Sequence, residues 1–182
     1  MHAFHLKTSL IQVQSIFYDL GYSWALVGGL AVSARCEPRF TNDLDVAISV
    51  ASDEQAESLT FKLIKRGASL EFTLDQDEQK RLSMVSLKLD QTSHTSIDLL
   101  FASSGIEAEI TQSAELLEVF PHIIIPVASL SHLAALKLLS VSMKRMKDLS
   151  DLNVLKEAMN RQELEQVLET CHLITSRGYN RG

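Results

Sequence analysis

Trp24-Ala25-Leu26-Val27-Gly28-Gly29-Leu30-Ala31-Val32-Ser33-Ala34, followed downstream by Asp43-Leu44-Asp45-Val46-Ala47-Ile48, is the stretch that decides the fold. Trp24 to Val27 reads as a short buried strand, and Gly28-Gly29 before Leu30, Ala31, Val32 and Ala34 predicts a tight turn opening a helix. Such a turn frees backbone N–H donors at the positive end of a helix dipole, and glycine lets an anion approach without a Cβ in the way. Asp43 and Asp45 lie two apart in a segment rich in β-formers, so their side chains leave one face of a strand about 6.6 Å apart. Two like charges at the mouth of an apolar strand repel and are costly to bury unless a cation such as Mg²⁺ neutralises them. Each motif alone has an ordinary reading, a turn for Gly-Gly and a solvated strand end or helix cap for Asp-x-Asp. In the order strand, glycine turn, helix, loop, Asp-x-Asp strand, they meet at one end of a sheet and predict a phosphate and metal site.

Outward from this stretch, Leu6, Leu10, Val13, Ile16, Phe17 and Leu20 recur at helical spacing and Gly21 follows as a stop. Ala56, Leu59, Phe61, Leu63 and Ile64 predict a helix over about residues 52–66, closed by Gly67. Short β-compatible runs follow at Leu70–Thr73, Met84–Leu89 and Ser96–Phe101, with the polar stretch from Asp75 to Lys80 read as a loop. The third run carries Asp98 in an otherwise apolar strand. Taken alone, Asp98 is a carboxylate satisfied by backbone or an arginine, or one at a solvated strand end; beside an acidic pair, it is the third carboxylate of a metal-dependent phosphoryl-transfer site. Ile123 to Val127 reads as a strand that Pro126 confines to a sheet edge or a terminus. Ser129 or Ser131 caps a helix with an apolar face of Leu133, Leu136, Leu139 and Met143, and with Lys137 as its one charge. Asp148-Leu149-Ser150-Asp151 opens another helix, and Gln162 to Leu173 forms a last one.

A chain of 182 residues with 46% hydrophobic and 22% charged residues can bury a full core, which excludes a disordered chain. The expected division is an α/β core over residues 1–128 with helices over 129–182 packed on it as a single compact unit. No apolar run reaches membrane-spanning length and the first residues lack the apolar core of a signal peptide, so a cytoplasmic protein without membrane partners is expected. Cys36 and Cys171 form no disulfide framework or metal spacing. A net charge of −6 argues against a surface wholly devoted to nucleic acid, while Arg35, Arg39, Lys144, Arg145 and Lys147 leave a local basic patch open.

Four ordered blocks then combine: Gly28-Gly29; Arg39-Phe40-Thr41-Asn42-Asp43-Leu44-Asp45; Ser96-Ile97-Asp98; and Leu133-Ala134-Ala135-Leu136-Lys137 with Lys147-Asp148-Leu149-Ser150-Asp151. Over about residues 24 to 155 the chain resembles the DNA polymerase beta-like nucleotidyltransferase superfamily, and within it the AbiEii-type toxin branch. The resemblance implies an α+β fold, a mixed β-sheet flanked by helices with a C-terminal helical portion. It implies that Gly28 and Gly29 hold the β and γ phosphates of an NTP such as ATP. Asp43, Asp45 and Asp98 would be the catalytic carboxylates ligating two Mg²⁺ ions, Asp98 beside the acceptor hydroxyl. Lys137 would contact nucleotide phosphates, and Arg39 and Thr41 would place the Asp-x-Asp loop or touch phosphate. The acceptor would be an RNA end, a protein side chain or a small molecule, and a toxin would have a separate antitoxin as partner. Asp148 and Asp151 have a purely structural reading as first-turn caps. The alternative function is a non-catalytic nucleotide-binding or regulatory protein that keeps the fold. Gly29 replaces the serine of many superfamily members, which leaves phosphate binding to backbone amides.

Overall fold

The computed structural model describes residues 2–38, 41–77, 79–89, 95–140 and 146–179, of which 2–4 and 146–147 by backbone alone. Arg39, Met143, Lys144, Arg145 and the side chain of Lys147, named above, lie outside the described residues. Helix α1 (His2–Leu20) ends where Gly21 turns to φ +70° and the Tyr22 N–H bonds back to Phe17 O at 3.1 Å. That glycine-closed end turns the chain into β1 (Trp24–Val27), with the Trp24 ring 5.8 Å from that of Phe17. Helix α2 (Gly28–Arg35) starts directly at the end of β1, and β2 (Leu44–Ile48) returns antiparallel to it. Helix α3 (Asp53–Lys65) has Ser52 as its cap, accepting from the Gln55 N–H, with Asp53 and Glu54 in its first turn and Lys62 and Lys65 in its last.

Strands β3 (Ser69–Gln76), β4 (Arg81–Lys88) and β5 (Ile97–Leu100) follow, then α4 (Glu107–Gln112), β6 (Glu115–Phe120) and β7 (Ile123–Val127). Helices α5 (Leu130–Ser140), α6 (Met146–Ala158) and α7 (Arg161–Ser176) complete the chain. The strands form one mixed sheet in the order β3-β4-β5-β2-β1-β7-β6, an α+β fold. Its inner face includes the cross-strand row Leu26, Val46, Leu99 and Val85, none more than 1% exposed.

Three details differ from the pattern expected. The polar stretch after Leu74 is not all loop: β3 runs on to Gln76 because Asp75 and Gln76 pair with Leu82 and Arg81, and Asp53 anchors that end by accepting from the Arg81 Nε at 2.7 Å and the Leu82 N–H at 3.1 Å. Strand β7 is internal, between β1 and β6. Pro126 is tolerated because the ladder to β1 is limited to Leu26 opposite Val127, with the Ala128 N–H as donor, so no donor is missing there. Arg35 belongs to no open basic patch: it donates to the carbonyls of Val127 and Ala128 and to Glu115, tying α2 to the end of β7 and to β6.

The C-terminal helices are joined by charge as well as by packing. Helix α5 packs against α2, α6 and α7, and Lys137 on α5 meets two carboxylates of α6, Asp148 at 2.7 Å and Asp151 at 2.9 Å. The three side chains are 14%, 9% and 1% exposed. Burial alone would favour a neutral lysine, but the hydrogen bonds and charges of Asp148 and Asp151 outweigh it and hold the ammonium above its ordinary range. Asp148 and Asp151 are therefore not solvated caps, and Lys137 is not a lysine reaching out to water. Lys137→Met should lower unfolding free energy by about 3–5 kcal/mol, because it removes the positive charge that Asp148 and Asp151 share. Urea denaturation checks this, and a loss below about 1 kcal/mol would show that the cluster is not load-sharing.

Candidate functional site

The sheet order brings the separate sequence motifs into one line. Val27 is the register partner of Asp45, Asp45 of Asp98, Asp98 of Ser86 and Ser86 of Phe72, so a single row crosses β1, β2, β5, β4 and β3. Neighbouring strands lie about 4.8 Å apart and register partners share a face, which sets the carboxylates of Asp45 and Asp98 side by side. Asp43 stands just before β2, exposed, while Leu44 and Val46 around Asp45 are fully buried.

Gly28, at the end of β1, has φ +65°, and a Cβ placed on it would lie 1.8 Å from Asp45 Oδ2. The missing side chain is thus the space that the Asp45 carboxylate fills. Asp45 also accepts a hydrogen bond from the Gly29 N–H, so the buried Gly29 offers its donor to a carboxylate in this structure. Desolvation, then the charge of Asp98, with a smaller push from Asp43, raises the Asp45 carboxyl to about 6, against the opposing pull of Lys137 and Gly29. Asp98 is also raised, first by desolvation and then by the charges of Asp43 and Glu71, although the Ser86 hydroxyl donates to its Oδ1 at 2.6 Å and works the other way.

A cleft of about 420 Å³ opens over this row, walled by Leu133, Leu136, Lys137 and Leu139 of α5 on one side and by Phe72, Leu74, Met84 and Leu100 of the outer strands on the other. Ser103 and Ser104 at its rim are pinned by buried Glu107, whose Oε1 accepts from both backbone N–H groups at 2.8 Å and from both hydroxyls at 3.0 and 2.9 Å. Of the candidate site residues singled out from sequence, Gly28, Asp45, Asp98, Lys137 and Asp148 line the cleft; Gly29, Thr41, Asp43 and Asp151 do not. A larger groove of about 630 Å³ between α3 and the β3–β4 hairpin contains none of them. Ser86, Glu107 and the outer-strand wall escaped sequence reasoning. A lone polar residue in the run Met84-Val85-Ser86-Leu87 was the available signal for Ser86, and it has meaning only once Asp98 is known to be its neighbour.

The chemistry of the donors suits a hard divalent cation: oxygen ligands only, crowded negative charge, and carboxyls raised by one another. Among the described residues no three His, Cys, Asp or Glu side chains close into a metal cage. Asp45 and Asp98 form an open set instead, the kind Mg²⁺ uses when substrate phosphates supply the remaining oxygens. No described helix is long and apolar enough to cross a membrane.

Several solved structures share the fold. The solution structure of the antibiotic-resistance factor ANT(2'')-Ia superimposes with a TM-score of 0.59 at 14% identity, over 98% of this chain and 95% of that one. An antigenic nucleotidyltransferase-like protein from Paracoccidioides brasiliensis gives 0.57 at 20% identity, over 98% and 91%. The lincomycin-bound lincosamide antibiotic adenylyltransferase LnuA gives 0.53 at 16% identity, over 84% and 97%. No curated protein matches in sequence. The family model of the nucleotidyl transferase AbiEii toxin, type IV TA system, matches residues 15–181. With that match spanning nearly the whole chain, the protein belongs to the AbiEii nucleotidyl transferase toxin family and is a nucleotidyltransferase.

Proposed function

We propose that this enzyme moves a nucleoside monophosphate from an NTP to an acceptor hydroxyl, with Mg²⁺ held by Asp43, Asp45 and Asp98, and that this transfer is the act of a toxin restrained by a separate antitoxin. The observation that carries the reading is the register pairing of Asp45 with Asp98 directly beside Gly28, whose absent Cβ makes room for the carboxylate. Gly28 and Gly29 at the start of α2 offer backbone donors to the β and γ phosphates, and Lys137 adds positive charge on the same cleft wall. Thr41 supports the approach to the Asp-x-Asp strand. When bound, Mg²⁺ supplies charge neutralisation to the triphosphate and lowers the pKa of the attacking hydroxyl. Asp98, its carboxyl raised, accepts the hydroxyl proton as the new O–P bond forms and the bond from Pα to pyrophosphate breaks. Ser86 orients Asp98 through Oδ1.

Incubating the protein with each labelled NTP, Mg²⁺, total RNA, cell protein and small-molecule extract tests the reading. Asp45→Ala should reduce label transfer by at least about a thousandfold; transfer retained at wild-type level in the mutant would exclude Asp45 from the machinery. In EDTA, phosphate and Asp45 compete for the Gly29 donor and repel each other, so Asp45→Ala should bind NTP more tightly than wild type, roughly tenfold by calorimetry. Equal or weaker binding by the mutant would show that Asp45 does not oppose nucleotide in the cation-free protein.

The raised carboxyl also sets a pH dependence. Asp45 ionises in the ordinary carboxylate range when unfolded and at about 6 when folded without cation. Its contribution to stability is therefore full at acid pH and is lost as pH rises from about 4 to about 6. Asp45→Asn escapes that loss. In EDTA it should exceed wild-type stability above pH 6 by about 1–3 kcal/mol and match it near pH 4. Parallel thermal unfolding across this range checks it; a difference that does not vary with pH would show that Asp45 is not the titrating group.

A further inference from the structure

The row of register partners has a direction, and nucleotidyl transfer, on which this inference rests, requires one. The glycine turn lies at the β1 end, beside Asp45, and Asp98 follows on the next strand, away from the turn. In-line displacement puts the attacking oxygen opposite the leaving pyrophosphate. With pyrophosphate leaving toward Gly28 and Gly29, the hydroxyl arrives from beyond Asp98, over β4 and β3.

The sheet is built unusually at that place. Leu100 is the register partner of Met84, and Met84 of Leu74, two residues along the strands from the row of Asp98, Ser86 and Phe72. Side chains alternate faces along a strand, so these two rows share the face of the carboxylates. Phe72 and Leu74 are 46% and 51% exposed, Met84 and Leu100 are half-buried, and all four line the cleft. The register of β3 slips between Leu70 and Phe72 and again between Leu74 and Asp75, so irregularities bracket Phe72 and Leu74. Bulges of this kind re-aim side chains next to active sites. An edge strand that leaves a phenylalanine and a leucine open to water beside half-buried carboxylates offers a nonpolar surface to a bound molecule.

Charge selects the occupant. Among the described residues lining the cleft, Asp45, Asp98 and Asp148 are acidic, and the lone cation, Lys137, is already bound at 2.7 and 2.9 Å by two carboxylates. Two divalent cations would add four positive charges to the three carboxylates at positions 43, 45 and 98, and a triphosphate would more than cancel the surplus. These described groups repel a polyanionic acceptor and do not repel a neutral or cationic one.

We infer that the ledge of Phe72, Leu74, Met84 and Leu100 is the acceptor subsite, and that the acceptor is a small hydroxyl compound with a nonpolar face and no net negative charge. The ledge seats that face and presents the hydroxyl to Asp98.

Benzyl alcohol serves as the neutral probe and a short single-stranded RNA with a free 3′-hydroxyl as the anionic one. Each is titrated into full-length protein, alone and loaded with Mg²⁺ and a non-hydrolysable NTP analogue, while the methyl resonance of Met84 is followed by NMR. Benzyl alcohol should shift the Met84 methyl. Phe72→Asp should weaken that response roughly tenfold, Phe72→Leu should retain it, and affinity for the analogue should stay within about twofold in both variants. Because Phe72 is exposed on an edge strand, the variants keep the fold, which an unchanged spectrum away from the ledge verifies.

Three results would overturn the inference: RNA rather than benzyl alcohol shifting Met84, no shift with either probe, or Phe72→Asp weakening the analogue as much as the alcohol, which would make the ledge a seat for the nucleobase. Failure of the wild type to bind the analogue, with the alcohol response intact, would instead sink nucleotidyl transfer itself and leave a nonpolar site with no acceptor role.

Discussion

Asp45 and Asp98 repel each other, and the sheet holds them together regardless. Their positions are set by backbone pairing between β2 and β5, with Leu44 opposite Ile97 and Val46 opposite Leu99, all of them buried. Moving either aspartate would slip a whole strand by a residue and turn its apolar set toward the cleft. Much else in the molecule answers to this forced proximity. Ser86 and the Gly29 N–H each donate to one of the two carboxylates, and Lys137 offsets their charge from α5. The sheet thus sets like charge against like charge at one point of its register.

Most elements could be read from the chain because they rest on local patterns. The spacing of Leu6, Leu10, Val13 and Phe17 announces α1, the Gly-Gly turn announces the β1–α2 junction, and Ser52 with Gly67 brackets α3. Helix α4 and strand β6 gave no such sign. The first is a single short turn without a side-chain cap, and the second, Glu115-Leu116-Leu117-Glu118-Val119-Phe120, is an edge strand without strict alternation. The candidate site was legible in its residue types and illegible in its arrangement. That Asp98 sits beside Asp45 depends on strand order, which crosses over between β2 and β5, and no periodicity encodes that order. For the same reason Ser86 and Phe72 looked like ordinary strand residues.

Asp148 and Asp151 teach a related lesson. Near the start of a helix, acidic residues have a local explanation in capping and the helix dipole, which holds for Asp148 in the first turn of α6 but does not account for the burial of Asp148 and Asp151. Helix α6 already begins at Met146, and both carboxylates are committed to a lysine on another helix. Lys137 appears in sequence as one charge on an apolar helix, and its partners, more than a turn of chain away, emerge only when α5 and α6 pack. The cleft wall and the attachment of the C-terminal helices are consequently one piece of structure: the residue that sends positive charge toward Asp45 is also the residue that fastens α6.

The vacancy at Gly28 ties two positions into a single inherited choice. Any side chain there would occupy the volume of the Asp45 carboxylate, so position 28 can accept a Cβ only in a lineage that has already given up the aspartate or moved it. An alanine at the first glycine would force the Asp45 carboxylate out of its present place, so the two positions can change only together.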